Sequence, residues 1–531
     1  MFLNYGHIES NGYRPHGASL KNFVSYMGDF ALSEHEKMSL FLGYNKSYEQ
    51  VAGQISYADY YAGIDHGNSA YLKKNAGNDL LSTRVGVSYE NQFTNHFKNN
   101  TTVFYYSSDF TRIAAGAYEV SKNPNYGVRS VFGYKKDLNT NWKNELSFGT
   151  ELQQSTALIS NYRFTGADDN NPLQVSNIAK ASYFNYTNNQ FSFFAEDRLE
   201  YQPYQLAFVV GLSANKIKFN RQDLLALPGL ITDYNKDLSF SKSFNTAYNP
   251  HIAVQKTYKN QTVNLSYSYG YNAPTAATSF ISATNQTNDG LAPEKARILD
   301  LSVHGLLFDT HFDYQIAVYD MQIQDKLTQL SAINPQGGAA YTYWANTGNQ
   351  QNRGIELSLG YVYEAKNNSF FKSIQPFASC SINDFTYKKF QTKLGSSFIN
   401  YQDKLVVGVP NSKYTLGLDF KFQKGFYLQN TFHRVGNVYT DFANTNSVKG
   451  FEQFNAKLGY QKEFINKKLT LDIYIAGNNL TNKINYTFLF LGNSINDSDT
   501  GSNYPAGVAT DVNPGASKAY YFGGINLKYA L

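Results

Sequence analysis

The chain has 531 residues, a formal net charge of +5 and a single cysteine. One thiol, Cys380, excludes an internal disulfide and a cysteine-built metal site, and so small a charge without a basic block gives nucleic-acid binding no support. No apolar run reaches the roughly 18 residues of a membrane-spanning helix. Strands that meet lipid on one side and water on the other are not excluded, because their composition averages out as polar.

The first residues, MFLNYGHIESNGYR, carry no charged leader, apolar core or small-residue cleavage site and read as a strand beginning abruptly. The expectation is an N-terminally truncated chain whose true start lies upstream of Met1. From there a period of two dominates, since successive side chains of a strand point to opposite faces. Val263, Leu265, Tyr267, Tyr269 and Tyr271 oppose Asn264, Ser266, Ser268 and Gly270. In LSVHGLLFDTHFDYQIAVYDM (301–321), alternation through Leu301, Val303, Gly305 and Leu307 turns over Asp309 and Thr310. It resumes through Phe312, Tyr314, Ile316 and Val318, the pattern of a β-hairpin. Tyr414, Leu416, Leu418, Phe420 and Phe422 oppose Thr415, Gly417, Asp419 and Lys421, and Leu469, Leu471, Ile473 and Ile475 follow suit. In the last segment Tyr521, Ile525, Leu527, Tyr529 and Leu531 share a face. About 20 such segments of roughly 9–14 residues fit tilted membrane-spanning strands, and sustained helical periodicity is absent.

The connections sort by length. Short ones fall at 137–140, 201–204, 258–261, 308–311, 365–368, 423–425 and 464–468. Long ones fall near 48–82, 155–186, 219–243, 274–293, 325–350, 389–410, 437–449 and 479–516. Short and long alternate, the asymmetry of a transmembrane antiparallel β-barrel with short periplasmic turns and long extracellular loops. Soluble sandwiches and propellers have no reason to sort their loops in this way. A barrel of this size encloses a lumen too wide for side chains to fill. Leu301, Val303, Leu307, Phe312, Tyr314, Ile316 and Val318 are therefore expected to face lipid. Asp300, Ser302, His304, Asp313 and Gln315 are expected to face a wet interior.

Several stretches resemble the barrel portion of TonB-dependent outer-membrane receptors of the Bacteroidetes type, in particular iron-complex and ferric siderophore receptors. LAPEKARILDLSVHG (291–305) is similar to the segment that precedes a mid-barrel strand, and VGVPNSKYTLGLDF (407–420) to a later Val-Pro-x-x-Lys start. YWANTGNQQNRGIELSLGY (343–361) resembles a family signature carried by Asn346, Gly348, Arg353, Gly354, Ile355 and Glu356. GNNLTNKINYTF (477–488) and NGYRPH (11–16) match further family segments. The resemblance implies a 22-stranded barrel of which about 20 strands are present, with residues 1–531 as one barrel domain. It also implies an upstream signal peptide, energy-coupling box and plug. The implied partners are outer-membrane lipid, a ferric chelate or other small nutrient, the TonB energy-transducing complex acting through the plug, and the barrel-assembly machinery. The implied location is the Gram-negative outer membrane.

Parity places the long loops outside the cell. SYADYYAGIDHGNSAY (56–71), with Tyr57, Tyr60, Tyr61 and His66, is the richest of them. With Tyr13, Arg14 and His16 it is a candidate mouth for a ferric chelate, since Arg suits anionic groups and aromatic rings stack on planar ligands. Trp344 is a second candidate. The competing reading has these aromatic residues packing on one another at the rim. NDSDTGSN (496–503) sets Asp497, Asp499 and Asn503 at spacings like the start of a calcium loop, but position 508 is Val where a closing Glu is required, so a solvated loop is the better reading. No hydrolase, zinc-protease, Walker or dinucleotide motif is present, and neither an enzyme nor a cofactor is expected. Three functions remain: energised uptake of a ferric chelate, the same for a glycan or cobalamin, or passive diffusion through an unplugged pore.

Overall fold

The structure is a computed structural model. It describes all residues except 117, 163–179, 226–236, 282–283, 334–339, 367–368, 395–396, 467, 492–510 and 530–531. Among the described residues the expected all-β architecture is present as a 24-stranded antiparallel sheet, with two- and three-stranded sheets among the loops. Four of the 24 strands are short, namely Tyr118–Lys122, Phe240–Ser243, Tyr363–Glu364 and Ser397–Asn400, and the other twenty are long. No helix is long and apolar enough to cross a membrane among the described residues.

Two compact units are distinguished. In the first, built from Met1–Gln54, Asp65–Ala253 and Ser268–Glu294, strands follow one another in antiparallel pairs from Phe2–Ser10 through Leu206–Asp223. Register sets Leu40, Val87, Val103, Val128, Leu152 and Phe191 side by side across six strands. One residue along, Ser39, Ser88, Thr102, Arg129, Glu151 and Ser192 form the adjacent row on the opposite face. One face is thus apolar and the other carries hydrogen-bonding groups. Arg129 lies 3.7 Å from Glu151, and Ser88 Oγ donates to Asn100 Oδ1 at 2.9 Å.

The second unit comprises Ile55–Ile64, Val254–Tyr267 and Lys295–Leu531. The expected hairpin is present, with Leu301 opposite Val318 and Val303 opposite Ile316. Its turn holds Phe308, Asp309 and Thr310 at positive φ. The apolar row continues as Leu301, Val318, Ile355 and Ile382, and the polar row as Ser302, Ala317, Glu356, Ser381 and Lys413. Antiparallel pairing carries on through Tyr520–Tyr529, where Ile525 and Leu527 lie beside Ile473 and Leu471.

Two glycines of the 343–361 signature have definite steric reasons. Gly348 has φ +126, and a Cβ there would strike the Lys389 carbonyl. Gly354 lies directly across from Tyr319, whose ring occupies the space a Cβ needs and whose hydroxyl reaches Asn383 Oδ1 at 3.4 Å, on the next strand. The glycine lets the tyrosine lie flat across the strand, a device that pins register.

The expected loop boundaries need correction. Trp142–Tyr162 and Lys180–Tyr201 pair through Tyr162 and Lys180, well inside the loop expected at 155–186. Phe371–Leu394 likewise extends into the loop expected from 389. Past the apolar belt both faces of a strand are wet, so alternation ends while backbone pairing continues. The long connection from 51 to 76 contains two short helices, Tyr57–Ala62 and Ser69–Lys73, and that after Gln324 contains the hairpin Leu327–Ile333 and Ala340–Asn346. Short and long connections still alternate along the twenty long strands.

The face assignment predicts a sharp contrast between neighbours. Ile316→Arg, at mid-strand on the apolar face, is expected to destabilise the membrane-inserted protein by about 2–4 kcal/mol, whereas Gln315→Arg stays within about 0.5 kcal/mol. Reversible urea unfolding from lipid vesicles reads both. Equal costs at 315 and 316 would contradict the assignment.

Candidate functional site at the long-loop end

In the first unit the chain leaves Phe2–Ser10 through NGYRPH. Arg14 Nε and Nη2 donate to Asp65 Oδ2 and Oδ1 at 2.7 and 3.1 Å, a two-pronged ion pair with the guanidinium largely covered. His16 Nε2 lies 2.7 Å from the Ala76 carbonyl. Asp65 Oδ1 also accepts the Gly67 N–H at 3.0 Å. Burial alone pushes the Asp65 carboxyl up. The hydrogen bonds from Arg14 and Gly67 and the nearby Arg14 and His66 charges outweigh this and hold it below the ordinary carboxylate range. Arg14 and His16 therefore tie one loop to another, while Tyr13 and His66 are exposed.

A second tie in this unit was not legible in the sequence. Arg221 is fully buried, its guanidinium carbon 3.4 Å from the Phe184 ring centroid and 3.9 Å from that of Phe280. Nε donates to Tyr186 Oη at 3.2 Å and Nη1 to the Leu238 carbonyl. Lys242 Nζ donates to the Asp289 and Leu291 carbonyls, each at 3.0 Å. An arginine in KFNRQDLL looks like any rim cation until the aromatic rings that sandwich it arrive from distant strands.

In the second unit the loops fold onto two hydrophobic clusters. Tyr60 packs with Ile55, Val438, Val448, Leu489 and Val512, with Tyr57 and Tyr486 against them. Tyr387, Phe390, Tyr401 and Phe442 form the other, with Leu330. The helix Tyr57–Ala62 that presents these tyrosines is capped by Ser56, whose Oγ accepts the Asp59 N–H at 3.2 Å, and ends at Gly63 in the left-handed region. Burial raises the hydroxyl pKa of Tyr57 and Tyr60, and pushes that of Tyr486 up to about 12. Tyr60 is thus a core residue, which favours the rim-packing reading at that position. Its neighbour Tyr61 is exposed, accepts the Lys449 N–H at 3.3 Å and lines a recess of about 610 Å³. Trp344 stands half-buried on the hairpin strand Ala340–Asn346, opposite Gln329.

Within the unit the polar face continues below the loops. Tyr427 Oη donates to Asp472 Oδ1 at 2.7 Å, Asn526 Nδ2 to Asp472 Oδ2 at 3.1 Å, and Lys457 Nζ stands 3.9 Å from the Tyr474 ring centroid. Of the family signature, Ile355 lies on the apolar face, Glu356 on the polar one, Arg353 pairs with Asp320 at 3.6 Å, and Asn346 Nδ2 donates to the Asp325 carbonyl at 2.7 Å. Asp497, Asp499 and Asn503 lie outside the described residues. No group of three His, Cys, Asp or Glu side chains suited to a metal occurs among the described residues.

The Arg14–Asp65 pair sets a pH prediction. Because the folded carboxyl is held low, its contribution is present above the unfolded value, roughly 3.9, and is lost as pH falls through the lowered folded value. Asp65→Asn should remove that dependence and lower the opening free energy of residues 51–76 at neutral pH by about 1–3 kcal/mol. Hydrogen exchange over that segment measures it, and an unchanged protection pattern would contradict the pair's role.

Comparisons place these features among known proteins. The siderophore receptor PiuA from Acinetobacter baumannii matches with a TM-score of 0.71 at 16% identity, over 99% of this chain and 76% of that one. The ferric citrate transporter FecA in its unliganded form matches with a TM-score of 0.74 at 13% identity, over 99% and 72%. The ferric-catecholate import receptor Fiu from E. coli K12 matches with a TM-score of 0.68 at 14% identity, over 99% and 77%. At these identities the likeness is one of fold. A search of curated proteins found no match. The model of the family described as TonB dependent receptor-like, beta-barrel matches residues 21–480. With that match over most of its length, the chain belongs to the TonB-dependent receptor-like β-barrel family.

Proposed function

We propose that the protein is an outer-membrane receptor for uptake of a ferric siderophore or similar iron complex, energised through TonB and a plug domain. The observation that carries this reading is the construction of the long-loop end. A passive pore needs only a wet lumen, whereas here loops of the second unit are fixed on two hydrophobic clusters. Loops of the first unit are held by Arg14–Asp65 and by the buried Arg221. Preorganised loops suit high-affinity capture, because the cost of ordering them is met before the ligand arrives. The fold is shared with receptors for ferric citrate and ferric catecholates, which makes an iron complex the first ligand to test.

Within this reading the ligand candidates are the exposed Tyr13 and His66 in the first unit and the half-buried Trp344 in the second. Arg14, His16, Tyr57 and Tyr60 serve the loops instead. Uptake of radiolabelled ferric citrate and ferric catecholates by source cells, with and without a proton uncoupler, tests the proposal. Saturable uptake of one chelate that the uncoupler abolishes is the expected result, with His66→Ala raising the half-saturation concentration several-fold. Non-saturable flux of many solutes, indifferent to the uncoupler, would establish a pore instead.

A further inference from the structure

The long-loop end of the second unit carries arginines on its apolar side. Strand register fixes this placement. Arg297 shares the face of Leu299 and Leu301, Arg353 that of Ile355 and Leu357, and Arg434 that of Leu428 and Phe432. Arg434 stands between Tyr414 and Glu452 on the neighbouring strands, and one step further from the loops Leu416, Phe432 and Phe454 lie side by side. Arg297 Nε donates to Gln322 Oε1 at 3.0 Å, and Arg434 Nη1 lies 3.4 Å from Glu452 Oε1.

The recess of about 610 Å³ opens at this level. Arg434, Lys449 and Lys483 line it against a single acid, Glu452, with the Tyr61 hydroxyl and the Asn482 amide beside them. Among the described residues neither Lys449 nor Lys483 has an acidic partner, and both are exposed. The site thus has excess positive charge, hydrogen-bond donors and an apolar wall directly beneath. Were it a capture site for a soluble anion, its arginine should stand on the polar face with Thr415 and His433. Instead it stands on the face assigned to hydrocarbon.

We propose that this recess binds the phosphate-bearing headgroup of an anionic lipid of the surrounding membrane, whose acyl chains run along Leu416, Phe432 and Phe454. Guanidinium and ammonium groups complement phosphate, and cations set just beyond a hydrocarbon belt draw anionic headgroups to that depth. The proposal rests on the apolar face meeting lipid, as the proposed function also requires.

The test uses the full chain reconstituted in phosphatidylcholine nanodiscs and titrated with bis-phosphorylated lipid A, beside an unphosphorylated glycolipid and inorganic phosphate. Binding selective for the phosphorylated lipid is expected. It should weaken about thirtyfold in the Lys449→Ala/Lys483→Ala double variant and be restored in Lys449→Arg/Lys483→Arg. Lys143→Ala, at a short turn, should leave it unchanged. Equal binding of both lipids, an unaffected double variant, or complete displacement by inorganic phosphate would overturn the proposal, the last by assigning the recess to a soluble anion. Failure of the chain to enter the bilayer at all, seen as loss of heat-modifiable migration, would instead refute the membrane reading on which both rest.

Discussion

Hydrocarbon offers no hydrogen-bond partner to a peptide group, so a strand that crosses it must give each N–H and C=O to a neighbouring strand. Every other feature of this chain follows from meeting that demand. The ladders from Phe2–Ser10 to Leu206–Asp223, and from the 301–318 hairpin to Tyr520–Tyr529, satisfy most of the backbone, and where pairing skips Leu418 the Asn430 side-chain amide donates to its carbonyl. Side chains are then free to sort by face, with Leu152 beside Phe191 on one side and Glu151 beside Arg129 on the other. The same ladders fix where each loop starts, and hence which loops meet.

The face pattern was readable because it is local. Leu301, Val303, Ile316 and Val318 declare their side by alternation alone, and the structure pairs them as that alternation requires. Strand ends were not readable for the converse reason: Ala157, Leu158 and Ile159 run consecutively and break the alternation, yet Ser155–Tyr162 and Lys180–Asn188 stay paired with one register shift between Lys180 and Ser182. The loop site was legible only as a composition. Tyr60 and Tyr61 are adjacent in a tyrosine-rich run, and a single helical step sends one into a core with Val438 and Val512 and leaves the other at the surface. Nothing in the run itself says which. Likewise Arg14 reads as a ligand-binding cation until Asp65, 51 residues on, is brought to it.

Capture and conduction place opposite demands on such a molecule. Conduction needs an interior that holds water, and within the second unit Asp472, Lys457 and Tyr427 supply hydrogen-bonding and charged groups facing it. Capture needs loops that do not move when the ligand arrives. The short helix capped by Ser56, the aromatic cluster around Phe442 and the guanidinium held between Phe184 and Phe280 supply that rigidity from within the loops themselves.

The claim beneath the whole account is that alternate residues of one strand meet lipid and water. Spin labels placed singly from Phe312 to Asp320, in a Cys380→Ser background reconstituted in bilayers, measure it through relaxation by oxygen and by a water-soluble nickel chelate. Period-two alternation is predicted, with 312, 314, 316 and 318 favouring oxygen and 313, 315, 317 and 319 favouring nickel. Uniform accessibility, or alternation of the opposite phase, would contradict it.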